Sequence, residues 1–135
     1  MKVKVIDFGY TNLPNRAHDN DAGADVYATE SCIIFPHSTI KILLGLGLCL
    51  PDGYAAFVFP RSGLSSEGIV CELPPIDSGY RGEIHAIVSN IGDEPYSIVA
   101  GDRIGQLVVV PCVICDFVTE TGKKRGSGAF GSTGK

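Results

Sequence analysis

Short β-branched and aromatic runs, interrupted at close intervals by glycine, proline, asparagine and aspartate, fill most of this sequence. Runs of this kind form strands, and the interrupting residues form the turns between them. No window repeats apolar residues at i, i+3, i+4 and i+7 over three turns, so no long amphipathic helix is expected. The pattern predicts an all-β fold, a compact jelly-roll-like β-barrel, with strands at 3–7, 31–35, 39–50, 54–59, 83–90, 96–100 and 103–118.

The Leu-Val-Val-Val stretch at 107–110 is apolar on both faces of its predicted strand. A strand with one face in water alternates apolar and polar residues, so we expect another subunit to cover this one. With 135 residues the chain is long enough for one core and too short for two. Because only the carboxy-terminal segment changes composition, we expect one domain over 1–122 followed by a glycine-rich tail over 123–135.

Charge and cysteine content restrict the partners and the compartment. The formal net charge of −4 argues against broad nucleic-acid binding, which needs an electropositive face. No uninterrupted apolar stretch reaches the roughly 18 residues of a membrane span, and the amino terminus lacks the apolar centre of a signal peptide. The five cysteines are an odd number without framework spacing, which fits a reducing compartment. We therefore expect an intracellular, cytoplasmic protein with no nucleic-acid or membrane partner.

Five polar, glycine-bearing islands lie at the predicted strand ends, where a rigid scaffold presents loops for function. In the second island Ser62 is predicted to cap one helical turn, and Arg61 is either an anion ligand or a plain surface cation. In the third island Asp77 either orients a water or caps its own turn, and Tyr80 offers a flat face to a sugar or base. The islands are AGADVYA at 22–28, PRSGLSSEG at 60–68, PPIDSGYRGEI at 74–84, GDRIGQL at 101–107 and RGSGAFGSTG at 125–134.

The residues of the remaining islands also allow two roles each. Asp25 holds a magnesium-bound water or caps a strand end, and Gln106 serves a ligand or the fold through its amide. The tail cannot fold alone, because glycine loses the most backbone freedom on ordering and Phe130 is its one large apolar residue. With its cations and hydroxyls it is suited to wrapping a phosphate, or it is a frayed terminus.

Taken in order, the five islands resemble the five motifs of the trimeric dUTPase family, enzymes that hydrolyse dUTP to dUMP and pyrophosphate. The resemblance runs from about Ala22 to Gly134. It implies a jelly-roll subunit, a homotrimer with active sites between subunits, and Mg²⁺ as the cofactor. It also implies that the tail of one subunit closes as a lid over a site formed by the others.

The resemblance also implies a role for individual residues. Asp77 resembles the catalytic carboxylate that positions the attacking water, and Asp25 resembles the aspartate that contacts Mg²⁺ through water, not directly. The ring of Tyr80 would pack on deoxyribose, and the ring of Phe130 would stack on uracil. The substrate-binding residues implied in this way are Arg61, Ser62, Gly63, Ile76, Tyr80, Gln106, Arg125, Phe130, Gly131, Ser132 and Thr133.

Two positions depart from the family pattern. Pro74 stands where many relatives have glycine, and proline lacks the N–H through which a hairpin backbone would read uracil, so this departure concerns base specificity. Gly105 stands where the family often has alanine, and there we expect only a minor packing change.

Two other functions remain alternatives. A dCTP deaminase shares the fold and similar PRS and ID motifs, but such enzymes use a glutamate at the position where Ile87 stands here. A nucleotide-sensing module would use the same pocket to switch a partner without turnover, because fold does not fix function. A pure binder, however, has no use for a water-orienting carboxylate at Asp77.

Truncation after Lys124 is expected to leave the fold intact and to remove most dUTP turnover. The physical reason is that a closing tail excludes bulk water and so strengthens the contacts to the substrate. Pyrophosphate release and circular dichroism, measured side by side on the truncated and full-length chains, check both halves of this prediction. Full activity in a folded, truncated chain would contradict the lid.

Overall fold

Ten short strands and one short helix make up the part of the chain that the computed structural model describes, residues 1–122. The all-β prediction is confirmed, and the helix is the single turn expected after Arg61. In chain order the elements are β1 (Lys4–Asp7), β2 (Ala24–Tyr27), β3 (Cys32–Ile34), β4 (Thr39–Leu43), β5 (Leu46–Cys49), β6 (Tyr54–Pro60), α1 (Ser62–Ser66), β7 (Ile69–Glu72), β8 (His85–Asn90), β9 (Tyr96–Ile98) and β10 (Arg103–Pro111).

Several strand boundaries differ from the sequence-based ones. The run at 39–50 is two strands, β4 and β5, because the chain turns at Gly45 with a φ of +74° that disfavours residues bearing a Cβ. The run at 103–118 ends as a strand at Pro111, and residues 112–122 have no regular structure. Strands β2 and β7 were not predicted, since β2 lies inside a polar island and β7 is only four residues long.

The strands pair antiparallel into four small sheets around one apolar core. The sheet orders are β1-β5, β2-β10-β6, β3-β9 and β4-β8-β7, and within residues 1–122 these ladders do not join into one closed barrel. Side chains from all four sheets fill the core, which packs Val26, Ile34, Leu46 and Val88 at 1% exposure or less. No helix of the described part is long and apolar enough to cross a membrane.

The outer side of β10 is only partly covered in the single chain. Leu107 is buried, whereas Val108, Val109 and Val110 are half-buried. Beyond Pro111 the C-terminal arm, defined here as residues 112–122, exposes its large apolar side chains almost fully: Val113 by 86%, Ile114 by 80%, Phe117 by 94% and Val118 by 85%. The arm therefore presents apolar surface that a lone subunit leaves in water.

Candidate functional site

Strand β10 places Gln106 between two neighbouring strands. Gln106 lies opposite Asp25 of β2 on one side and opposite Phe59 of β6 on the other, so these three side chains share one face of the sheet. A register shift between Arg103 and Gly105 marks a β-bulge just before Gln106, and bulges commonly re-aim side chains beside functional sites. Strand β6 ends at Pro60, which brings Arg61 to the same edge.

Arg103 connects two of the predicted site residues. Its Nη1 atom lies 3.6 Å from Oδ2 of Asp25, whose side chain is only 16% exposed. Its main-chain carbonyl accepts a hydrogen bond of 3.3 Å from Nη1 of Arg61. Sequence reasoning missed Arg103, although a cation inside the GDRIGQL island, one strand away from an aspartate, was a usable signal. Arg103 holds the carboxylate and the guanidinium in one constellation.

These residues line a cavity of about 360 Å³, called here the Asp25 cavity. Its wall contains two guanidinium groups, a hydroxyl and a primary amide, which together suit a phosphate group. Asp21 also lines this cavity, but its carboxylate already accepts hydrogen bonds from the main chain and ring of His18 at 2.9 and 3.2 Å. The lining residues that bear on ligand chemistry are Gly23, Asp25, Arg61, Ser62, Arg103 and Gln106.

Ser62 does not cap the helical turn, so that prediction is wrong. Arg61 is the N-cap residue of α1, in an extended conformation, and it makes no side-chain capping hydrogen bond. Ser62 is the first helical residue, and its hydroxyl has no hydrogen-bond partner among residues 1–122, which leaves it available to a ligand. Gly63 follows it on the exposed side of the helix.

Tyr96 of β9 lies near the far end of α1. Burial raises the pKa of the Tyr96 hydroxyl, and the carboxylates of Glu67 and Asp102 raise it further. The hydroxyl therefore stays protonated beside Glu67, the C-cap residue of α1. The burial of Leu64 holds the Arg61-bearing turn against the sheet.

A second cavity, of about 230 Å³, contains Asp77 and Tyr80 and is called here the Asp77 cavity. The main-chain N–H of Tyr80 donates to the carbonyl of Asp77 at 3.1 Å, and the Tyr80 hydroxyl donates to the carbonyl of Glu83 at 2.8 Å. The Asp77 carboxylate is exposed and accepts no hydrogen bond within residues 1–122, so it does not cap its own turn. Ile76 anchors the segment through a bridge to Ala56 of β6.

The predicted site residues thus fall into two groups within one chain. Asp25, Arg61, Ser62 and Gln106 line the first cavity, and Ile76, Asp77 and Tyr80 line the second. No residue lines both cavities. The predicted tail residues Arg125, Phe130, Gly131, Ser132 and Thr133 lie outside the described residues.

The residues of the Asp25 cavity fit Mg²⁺ only in a particular way. Among residues 1–122 no three His, Cys, Asp or Glu side chains form a metal-binding cluster. Mg²⁺ commonly keeps several waters and is held by one or two carboxylates together with substrate phosphates. Asp25, a largely buried carboxylate in a cavity suited to phosphate, fits contact with the ion through water and not a cage made by the protein alone.

Glycine is required on both sides of Gln106. A Cβ at Gly105 would lie 2.6 Å from the main-chain oxygen of Phe59, so the expected minor packing change is wrong: alanine there forces β6 and β10 apart. A Cβ at Gly23 would lie 2.7 Å from both Cβ and Oε1 of Gln106. The absence of a side chain at Gly23 is therefore what lets the Gln106 amide lie in the cavity.

Comparison with known proteins gives one consistent result. A sequence model of the dUTPase family matches residues 9–134. The deoxyuridine 5'-triphosphate nucleotidohydrolase of Tropheryma whipplei (strain Twist) is 44% identical over 143 residues, which cover 100% of this chain and 97% of that protein. A variant of the Staphylococcus bacteriophage 80alpha dUTPase, solved with dUpNHpp, superposes with a TM-score of 0.87 at 25% identity, over 98% of this chain and 99% of that one. A variant of the dUTPase from phage phi11 of S. aureus coordinates a structural Mg(II) ion; it is 24% identical and shares the fold, with a TM-score of 0.85 over 90% of this chain and 98% of that one.

Gly23→Ala is expected to weaken the binding of inorganic triphosphate, measured by calorimetry in the presence of Mg²⁺. The added methyl group displaces the Gln106 amide, and the loss of one hydrogen bond to a charged group corresponds to about a tenfold change in affinity. Gly79→Ala is the matched control, because a Cβ at Gly79 meets no atom within 4 Å. Equal affinity in the Gly23→Ala and parent proteins would show that Gln106 does not contact phosphate.

Proposed function

Since the chain belongs to the dUTPase family, we propose that it hydrolyses dUTP to dUMP and pyrophosphate, with Mg²⁺ as cofactor. This reaction keeps uracil out of DNA and supplies dUMP for thymidylate synthesis. The observation that carries the proposal is the pairing of family membership with an unpartnered carboxylate, Asp77, in the Tyr80-lined cavity. A cytoplasmic location remains a prediction from the sequence.

Asp77 is the catalytic residue of the proposed reaction. Its exposed carboxylate accepts no hydrogen bond among residues 1–122 and so has room for a water. It orients this water in line with the α-phosphorus and takes its proton as the new P–O bond forms. The bond from the α-phosphorus to the bridging oxygen breaks at the same time, and pyrophosphate leaves with that oxygen.

The residues of the Asp25 cavity act on the phosphates. Arg61, Ser62 and Gln106 bind phosphate oxygens, and their positive and polar groups stabilise the charge that develops on the leaving group. Mg²⁺, contacted by Asp25 through water, supplies further charge neutralisation when it is bound. Arg103 is a positioning residue in this scheme, because it contacts Asp25 and Arg61 and holds both in place.

The remaining assignments concern the sugar, the base and the tail. The Tyr80 ring is held by its hydrogen bond to Glu83 and packs on deoxyribose, where it leaves no space for a 2′-hydroxyl. Residues 1–122 form the catalytic domain, and residues 123–135 act as the lid. In the lid Phe130 stacks on uracil, and Arg125, Gly131, Ser132 and Thr133 contact the outer phosphates.

The proposed assembly is a homotrimer with active sites between subunits. It is supported by the exposed apolar arm and by an apolar groove on the same molecule, lined by Val3, Val5, Leu107 and Val109. Burying apolar surface of this kind favours association by about 25 cal/mol per Å², before the entropic cost of bringing the subunits together. It is supported further by the division of the site residues between two cavities in one chain.

Membership of the dUTPase family argues against the dCTP deaminase, whereas experiment must decide on the nucleotide-sensing module. Ile87, at the position where a deaminase needs its glutamate, is a half-buried member of β8 paired with Lys41 and Glu72. A nucleotide-sensing module would bind the nucleotide in the same pocket, so only a measurement of turnover distinguishes it from the enzyme.

Light scattering is expected to give three times the 14.3 kDa mass of the chain. Phe117→Asp places a charge on the arm, where a subunit contact would bury it, and is expected to shift the protein towards monomer. Thr119→Asp, on the same exposed arm, is the control and should leave the mass unchanged. A monomeric parent protein would contradict the assembly.

Asp77→Asn is expected to lower the rate of pyrophosphate release from dUTP by roughly 10²- to 10⁴-fold, because the amide cannot take the proton of the water. The parent and variant are assayed with Mg²⁺ on dUTP, dCTP, dTTP and UTP in parallel, with the exposed Asp19→Asn as the matched control. Release from dUTP alone, lost only in Asp77→Asn, is the expected result. If the parent protein bound dUTP but released no pyrophosphate, the proposed enzyme function would be rejected in favour of the nucleotide-sensing module.

A further inference from the structure

On the hairpin side of the Asp77 cavity, residues 74–76 offer no free main-chain N–H to a ligand. Pro74 and Pro75 line the cavity and have no N–H. The N–H of Ile76 donates to the carbonyl of Ala56 at 2.8 Å, and the carbonyl of Ile76 accepts from the N–H of Ala56 at 3.1 Å. No main-chain N–H of residues 74–76 is therefore free to donate a hydrogen bond to a base in this cavity.

Most polar side chains of the same cavity are already engaged. The Tyr80 hydroxyl donates to the carbonyl of Glu83, and the Glu83 carboxylate accepts from the N–H of Gly45 at 3.0 Å. Asp77 is assigned to the water. Two polar side chains remain, Glu72 and His85, and neither makes a hydrogen bond within residues 1–122. Unpaired polar groups in a half-enclosed cavity are the ones a ligand can satisfy.

The strand register places Glu72 and His85 on the same side of their sheet. Glu72 of β7 lies opposite Ile87 of β8, and residues directly opposite in a ladder share a face. His85 is two residues from Ile87 on β8, so its side chain has the same direction. Both side chains line the Asp77 cavity. A carboxylate and an imidazole thus stand on neighbouring strands over one binding space.

We propose that the side chains of Glu72 and His85 read the base of the substrate, a proposal that rests on the function given above. Uracil presents the N3–H donor beside the O4 acceptor. The Glu72 carboxylate accepts from N3–H, and a ring N–H of His85 donates to O4. In the same pose cytosine turns its N3 lone pair towards the carboxylate and its amino group towards the ring N–H, so both contacts are lost.

The test measures the binding of dUpNHpp and of its N3-methyl derivative by calorimetry, on the full chain with Mg²⁺. Glu72→Ala and His85→Ala are each expected to weaken dUpNHpp binding by about tenfold, the value of one hydrogen bond to a charged or desolvated group. Glu72→Gln and His85→Gln restore an acceptor and a donor, and both are expected to recover most of the affinity. Lys41→Ala is the matched control, because Lys41 lies on the same face, opposite Ile87, but does not line the cavity.

The ratio of the affinities for dUpNHpp and its N3-methyl derivative is measured within each variant. Because both ligands meet the same protein, partial unfolding of a variant does not change this ratio. N3-methylation is expected to weaken binding to the parent and to His85→Ala, and to have little effect on Glu72→Ala. The dUTP-to-dCTP ratio of kcat/KM should fall by about tenfold in both alanine variants. An N3-methyl penalty that is equal in the parent and in Glu72→Ala, or unchanged dUpNHpp binding by His85→Ala, would mean that main-chain groups read the base and would overturn the proposal. A parent that neither binds dUpNHpp nor hydrolyses dUTP would instead overturn the proposed function itself.

Discussion

The pairing of β10 with two strands at once is the constraint on which the candidate site depends. Hydrogen bonds to β2 on one side and β6 on the other fix Gln106 opposite both Asp25 and Phe59. Because side chains alternate across a strand, a slip of one residue would turn Gln106 into the core and Leu107 out of it. The burial of Ile104 and Leu107 opposes that slip, so the apolar core sets the position of the polar site.

Electrostatics place a second requirement on the same region. The chain carries a net charge of −4, yet the proposed ligand is a polyanion, so cations must be concentrated locally. Arg61 and Arg103 place two cations at one cavity. The ion pair between Arg103 and Asp25 offsets the negative charge of that carboxylate, which would otherwise repel an anionic ligand. Bound Mg²⁺ would add to the local positive charge. With two arginines and the two aspartates Asp21 and Asp25 in its lining, the Asp25 cavity is formally neutral, whereas the whole chain is negative.

The sequence predicted the fold class and the polar islands better than it predicted the element boundaries and the contacts between residues of different islands. Turn residues and β-branched runs report local backbone preference, and for that reason most strands were found. The element boundaries that the sequence did not predict depend on tertiary contacts. They are the turn at Gly45, the end of β10 at Pro111, and the N-cap of α1, which is Arg61 and not Ser62. The roles of Gly23 and Arg103 depend on cross-strand distances, which no local pattern contains. The grouping of site residues into two cavities was likewise beyond the reach of sequence spacing.

The separation of those cavities bears on the proposed assembly. Val58 lines the Asp77 cavity, whereas Phe59, the next residue, shares a face with Gln106 and Asp25. Successive residues of a strand point to opposite faces, so β6 stands between the two groups of site residues. Within one chain, Asp77 and Gln106 line different cavities, so neither cavity alone offers both side chains to one nucleotide. Two copies of the chain remove the difficulty, since the Asp77 cavity of one can face the Asp25 cavity of the next. The apolar arm and groove provide surface to hold the copies together, and catalysis in such an assembly depends on association as much as on folding.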